Sequence, residues 1–501
     1  MDAMEGAVLK EKTLAEKMKS IEETEGEEVS KSKKSLAGLI FAFSVLFILH
    51  LGPTLPGLRP TSQSVLGVFL WFIICMVADA LPKAVVGLVS PLLLVVVAGI
   101  KVPEAFNAFN KDIFFLGAGA FIYAAIMMGT PLGKRIALTI TTAMRSNRVT
   151  RILFGLSLSD LAIGGVMPTV SETALFLPIA KGVGTLMQGK EHLPEVKRIN
   201  TAILLLITGL VPLFTGPLIL TSHFPNIMLA ANLKEAENIS ISWVQWFWLN
   251  VPLWGLLPIL FFYVVWYFKL WKLDIPGAEK EIPKMKRELG KITWPEIWAL
   301  ISLGIGVTLW VTEGFHGIKS GMVALLVVLM MFMPWGKIKF KDINPHIMWD
   351  VLMLLGGAIS LGTVLYNSGA VTWLADIIVE PVKSAGLPAL AVLFILVFGL
   401  HIPRAGIVSA VAMGAAFIPL TIGIAKALGY NILPFTLIVT NCLSYAFFLP
   451  ISITAFLIAW CACGAKGWEV VKFGGLLSII ANVYVIVVQT AWLALIGYPL
   501  K

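Results

Sequence analysis

A few ionisable side chains stand inside apolar stretches of this chain, where charge is costly and tends to mark function. Asp160 and Glu172 lie in the stretch 153–179, which Gly164-Gly165 and Pro168-Thr169-Val170-Ser171-Glu172-Thr173 interrupt. Glu172 could hold Na⁺ or accept a proton, which is the chemistry of cation coupling, while Asp160 lies farther from the interruption. A plainer reading has Glu172 capping the helix that follows it and Asp160 pairing with Arg151. In the stretch 387–424 the polar point is His401-Ile402-Pro403-Arg404-Ala405-Gly406. The planar guanidinium of Arg404 suits a fork-like contact with a carboxylate or sulfate. The same residue could instead be an interfacial anchor. His223 and His401 could titrate, although lone histidines are more often structural.

The elements that must position these groups are broken membrane segments. The stretch 153–179 starts and ends beside basic residues, which predicts a re-entrant hairpin with its tip near Pro168 to Thr173. The stretch 387–424 predicts a second hairpin entering from the other side. Each is followed by a broken span. The first breaks at Thr215-Gly216-Pro217 and again at Thr221-Ser222-His223-Phe224-Pro225-Asn226; the second breaks at Pro450-Ile451-Ser452-Ile453-Thr454. Irregular backbone at membrane depth is tolerated only where protein or a watery cavity surrounds it. Half-helix N-termini favour anions, and free carbonyls favour cations.

Composition fixes the class. Hydrophobic residues are 58% and charged residues 13% of 501, with 16 tryptophans. That apolar content belongs to a polytopic membrane protein. The net charge of +9 reflects basic residues at the ends of apolar runs and implies no nucleic-acid partner. Cys75, Cys442, Cys461 and Cys463 all fall in apolar segments and read as packing residues. No metal site is expected.

Apolar runs occur at 36–51, 64–80, 85–100, 113–128, 203–231 and 243–268, then at 294–311, 318–333, 347–365, 432–463 and 473–496. One crossing each gives about eleven transmembrane helices. The basic residues favour a cytoplasmic N-terminus and an outside C-terminus. The expected organisation is a charged cytoplasmic tail (1–35), a first repeat with an extra helix (36–270), a cytoplasmic linker (271–292) and a second repeat (293–501). Leu116-Gly117-Ala118-Gly119-Ala120 answers Leu355-Gly356-Gly357-Ala358-Ile359, and Phe176-Leu177-Pro178 answers Phe417-Ile418-Pro419. Because the equivalent spans run in opposite directions, the repeats are inverted.

These residues resemble a known family. Ala78-Asp79-Ala80-Leu81-Pro82, Asp112-Ile113-Phe114-Phe115-Leu116-Gly117-Ala118-Gly119 and Trp349-Asp350-Val351-Leu352-Met353-Leu354-Leu355-Gly356-Gly357 are similar to stretches of the divalent anion/sodium symporter family, anion permeases of the ion-transporter superfamily. The resemblance covers residue 36 to the C-terminus. It implies an all-α homodimer, with elevator-type scaffold and transport domains, carrying carboxylates or sulfate. It also implies a Ser-Asn-Thr triplet at each hairpin tip, beside substrate and Na⁺. Here Thr169, Val170 and Ser171 fall on the first triplet, or Ser171, Glu172 and Thr173 in a shifted alignment. Pro403, Arg404 and Ala405, or Ser409, Ala410 and Val411, fall on the second. Neither contains the asparagine. The family's Gly-Thr-Pro-Pro-Asn loop corresponds to Ser222-His223-Phe224-Pro225-Asn226, and in the second half to Ser452-Ile453-Thr454-Ala455-Phe456.

The resulting expectation is a secondary active transporter of small anions in the cell membrane, di- or tricarboxylates first, working by alternating access. Substrate contacts are expected from Thr169, Ser171, Ser222, Asn226, Arg404, Ser409, Ser452 and Thr454. Cation coupling is expected from Glu172, Thr173 and Asp160. No cofactor is expected beyond Na⁺ or H⁺ as coupling ion, and the missing asparagines rank proton coupling or anion exchange above Na⁺ symport. Sulfate or another inorganic oxyanion is the substrate alternative. A non-transporting binding or sensor protein on the same fold is an alternative of another class. A membrane-embedded enzyme would need a motif such as His-Glu-x-x-His or Gly-x-Ser-x-Gly, and the chain has neither.

Overall fold

The computed structural model describes residues 33–190 and 192–501; most of the expected tail lies outside the described residues. Among the described residues the chain is helical, with one isolated bridge between Arg148 and Asp274. After α1 (Lys33–Leu51), two halves run through the same order of elements. The first comprises α2 (Pro60–Val77), α3 (Lys83–Val96), α4 (Asp112–Gly129), the amphipathic α5 (Leu132–Ala143), and a hairpin of α6 (Val149–Gly164) and α7 (Thr169–Gly184). A broken span follows, α8 (Pro194–Leu218) and α9 (Phe224–Glu237), and then α10 (Trp243–Tyr267). A surface helix, α11 (Ala278–Glu288), leads to the second set. That set is α12 (Trp294–Val311), α13 (Ser320–Met331), α14 (Trp349–Asn367) and α15 (Ala370–Ser384). Its hairpin is α16 (Ala389–Arg404) and α17 (Ala410–Leu428), followed by the broken span α18 (Ile432–Ser444) and α19 (Thr454–Cys463), and by α20 (Gly467–Leu495).

Nine helices of the described residues are long and apolar enough to cross a membrane. The shorter ones are informative. At 14 and 12 residues, α3 and α13 rise only about 21 and 18 Å, less than the hydrocarbon core. They occupy equivalent places in the two halves, and each packs on a long helix of the other half: α3 on α14, and α13 on α4. Small residues allow the close approach. A Cβ on Gly357 would land on the carbonyl of Gly87, and one on Gly321 would land on the backbone of Asp112. The Asp112 carboxylate accepts from the backbone N–H of Gly321 (3.2 Å) and Met322 (3.1 Å), so it caps α13. The halves are interlocked, and each helps to hold a short helix of the other.

Large apolar side chains such as Ile40, Phe47, Phe262, Trp266, Leu300 and Ile479 stay exposed, as a lipid-facing surface requires. The cysteines are free; Cys75 and Cys442 are buried as expected, whereas Cys461 is exposed and does not pack in the core. Irregular helix accounts for much of the buried polarity. α10 passes through a 3₁₀ segment at Val251–Gly255, where Pro252 has no N–H to donate, and α20 through a π segment at Val485–Gln489. There the amides of Asn250, Asn441 and Gln489 bond one another: Asn441 Nδ2 lies 2.8 Å from Asn250 Oδ1 and 3.1 Å from Gln489 Oε1. Gln489 Nε2 donates to the Leu249 carbonyl at 3.2 Å.

Candidate functional site

The first hairpin turns at Gly165 to Pro168, earlier than the sequence suggests, so Thr169 begins α7 and Glu172 lies in its first turn. The reason is Pro168, whose extended backbone (φ −62°, ψ 142°) ends the turn and starts the helix. The second hairpin turns at Ala405 to Ser409, so His401 and Arg404 lie in the last turn of α16. The break after the first hairpin is compact. Thr215-Gly216-Pro217 is a tight helical turn rather than a gap, and the chain is extended only at Ile219 and His223. The second break is wider, from Tyr445 to Ile453.

Each hairpin tip grips the break that follows it. In the first half the Thr169 hydroxyl lies 3.2 Å from the Ser222 carbonyl and 3.1 Å from His223 Nδ1, and Thr221 donates to the Gly165 carbonyl at 2.9 Å. Asn226 Nδ2 donates to the carbonyls of Gly216 (2.9 Å) and Ile219 (2.8 Å). The Asn226 amide therefore serves carbonyls that the irregular backbone leaves free. In the second half Arg404 donates to the carbonyls of Leu443 (3.2 Å), Ser452 (2.8 Å) and Ile407. Thr454 reaches the Val408 carbonyl at 3.4 Å. Both arrangements hold the carbonyl of a serine, Ser222 or Ser452, and leave that serine's own hydroxyl buried without a partner. Arg404 and His223, one from each half, lie within electrostatic reach.

The remaining residues sort clearly. Arg404 is 1% exposed, so it is no interfacial anchor. Ser171 is buried against α14, its hydroxyl 3.6 Å from Met348 Sδ, away from the Thr169–Ser222 contact. Thr173 spends its hydroxyl on the Thr169 carbonyl of its own helix at 3.0 Å. Ser409 caps α17, accepting from Ala412 N at 3.3 Å. Glu172 does not cap α7, and Asp160 is buried without pairing with the exposed Arg151; the two carboxyl groups face each other instead. His401 bonds the Val397 carbonyl at 2.6 Å through Nδ1, while Nε2 is buried and unpartnered.

His223 is the residue that sequence reasoning set aside. The available signal was its place between Ser222 and Asn226 in one break. Thr215 is a second: its hydroxyl stands beside Gly164 and the Glu172 carboxylate. A cleft of about 510 Å³ is lined by the charged Lys111, Glu235, Glu313 and Lys319 and by the buried Leu220 and Ile359. It runs from the surface to the first break.

Comparison with known proteins agrees with this architecture. A family model described as "Sodium:sulfate symporter transmembrane region" matches residues 33–498. A sodium-dependent dicarboxylate transporter of Staphylococcus saprophyticus is 28% identical over 457 residues, covering 83% of each chain. An L-tartrate/succinate antiporter of Escherichia coli is 26% identical over 415 residues, 77% of this chain and 82% of that one. The solved structure of MtrF from Neisseria gonorrhoeae, of a class of antimetabolite efflux pumps, superposes with a TM-score of 0.50. It does so at 14% identity, over 92% of this chain and 99% of that one, a likeness of fold alone. The relatives are transporters, so the enzyme alternative falls away. Inverted halves, paired hairpins and a match over nearly the whole described chain place this protein in the sodium:sulfate symporter family of multi-pass membrane transporters.

Proposed function

We propose that this chain carries small dianions, succinate-like dicarboxylates first, by alternating access with the anion held between the two hairpin tips. The observation that carries this reading is the pair of orphaned buried hydroxyls, Ser222 and Ser452, one in each break, flanking the Arg404 guanidinium and the His223 ring. Buried hydroxyls without partners are costly, and an anion supplies acceptors for both. Helices α7, α9, α17 and α19 all begin at these tips and breaks, adding free N–H groups and partial positive charge. Thr169, Asn226 and Thr454 then shape the site through the backbone rather than by touching the anion. The names of both relatives quoted above include dicarboxylates, which supports that class. Sulfate is the second reading, favoured by the family description itself.

The coupling cation, Na⁺ or H⁺, is cargo, and obligate exchange is the third mode. We assign the two repeats to 36–270 and 293–501 with a cytoplasmic linker at 271–292, the N-terminus inside and the C-terminus outside. We also propose a homodimer with an elevator movement of the hairpin-bearing part, which the family resemblance supports. The test is uptake of labelled succinate, 2-oxoglutarate, citrate and sulfate into proteoliposomes under a Na⁺ gradient, a proton gradient, or preloading with unlabelled anion. Saturable succinate uptake in any of the three supports the reading. Sulfate uptake alone would move the substrate class. Binding without flux in all three would make the protein a sensor.

A further inference from the structure

Asp160 on α6 and Glu172 on α7 are wholly buried, and none of their four carboxyl oxygens meets a hydrogen-bond donor. They face each other across the hairpin. Glu172 Oε1 lies over Gly164, where a Cβ would collide with it, and Thr215 Oγ1 stands 3.1 Å from that same point. The Thr215 hydroxyl gives its own proton to the Val211 carbonyl at 3.0 Å, so it offers the carboxylates nothing.

The elements packed on this hairpin bring no countercharge among the described residues. On α5, Lys134 is exposed, and Arg135 is spent on Glu296 (2.7 Å) and on linker carbonyls. On α4, Asp112 caps α13. On α8 the group at the pair is Thr215; that helix's charged residues, Glu195, Lys197 and Arg198, lie 17 or more residues earlier in the helix, and α19 has no charged residue. Two facing carboxylates in a dry site cannot both stay ionised. The pair lacks one donor, and a single proton supplies it: one O–H donating to the opposite carboxylate, leaving a net charge of −1.

We infer that Asp160 and Glu172 form a one-proton site carried inside the first hairpin, with the proton as co-transported cargo. This rests on the transporter reading above. Thr169 and Glu172 lie on the same turn of α7, so a movement that frees Thr169 from the Ser222 carbonyl also shifts Glu172 against Gly164 and Thr215. The proton enters from water on one side and forms one carboxyl O–H. It returns to water on the other side, and no other bond changes.

The test is infrared difference spectroscopy of the full-length protein in lipid through a pH titration in H₂O and D₂O. Around neutral pH the wild type should show the deuterium-sensitive carbonyl band of one neutral carboxylic acid. Asp160→Asn and Glu172→Gln should each remove it. Gly164→Ala, which displaces the Glu172 carboxylate without removing it, should shift it. In liposomes the several-fold acceleration of succinate uptake by an inward proton gradient should vanish in Glu172→Gln. Absence of the band from wild type overturns the proposal, as does its loss on adding Na⁺ but not K⁺. The spectrum requires no transport, so failure of the wild type to move any anion would count against the transporter reading alone. The wild-type band remains decisive even if a variant fails to fold.

Discussion

Arg404 is the residue whose replacement separates an anion ligand from a structural pin. Its guanidinium donates to carbonyls at Leu443, Ser452 and Ile407, so Arg404→Ala leaves three buried acceptors without a donor. At about 1 kcal/mol each, the low end for an unsatisfied buried group, the loss is roughly 3 kcal/mol before any cavity forms. Arg404→Lys keeps the charge but presents a point donor in place of a fork, and it should recover only part of that loss. The assay is thermal unfolding of purified protein in detergent, followed by tryptophan fluorescence, beside equilibrium binding of succinate. Alanine should unfold several degrees below wild type and lose succinate binding, with lysine between the two on both axes. An alanine variant that unfolds with wild type would refute the pinning argument. Lowered stability with wild-type affinity would keep the pin and remove Arg404 from the anion site.

Other outcomes follow from the packing. Gly357→Ala would put a Cβ on the Gly87 carbonyl, backbone against backbone, and should abolish monodisperse protein on size exclusion. Asn441→Leu removes the donor shared by Asn250 and Gln489 and should lower stability by about 1–2 kcal/mol, read by unfolding in detergent. Asp112→Ala uncaps α13 and should cost about 1 kcal/mol in the same assay. At one surface, Glu237 on α9 meets Lys426 on α17 at 2.9 Å and Tyr366 on α14. Because Lys426 is largely exposed, Glu237→Gln should change stability by less than about 1 kcal/mol.

Much of the fold was legible because lipid imposes a strict rule. Only continuous apolar helices cross it unaided, so each polar or Pro/Gly interruption advertises a place where protein must take over. The hairpins, both broken spans and the repeated order of elements could be read in this way. Boundaries were less legible. Pro168 moved the first tip four residues back from Thr173's neighbourhood, and the second tip fell beyond Arg404, because helix starts depend on backbone angles that composition does not fix.

By itself the sequence determined a duplicated membrane protein with polar groups at two interrupted depths. Only the tertiary structure decided which of those groups remain free to act. Thr173 and Ser409 are absorbed by their own helices, Ser171 turns to Met348, and Arg404 is held by carbonyls up to 48 residues away. Ser222, Ser452, Asp160 and Glu172 are left without partners. A side chain's availability is set by what lies within about 3 Å of it in space, and for these residues those neighbours come from other helices.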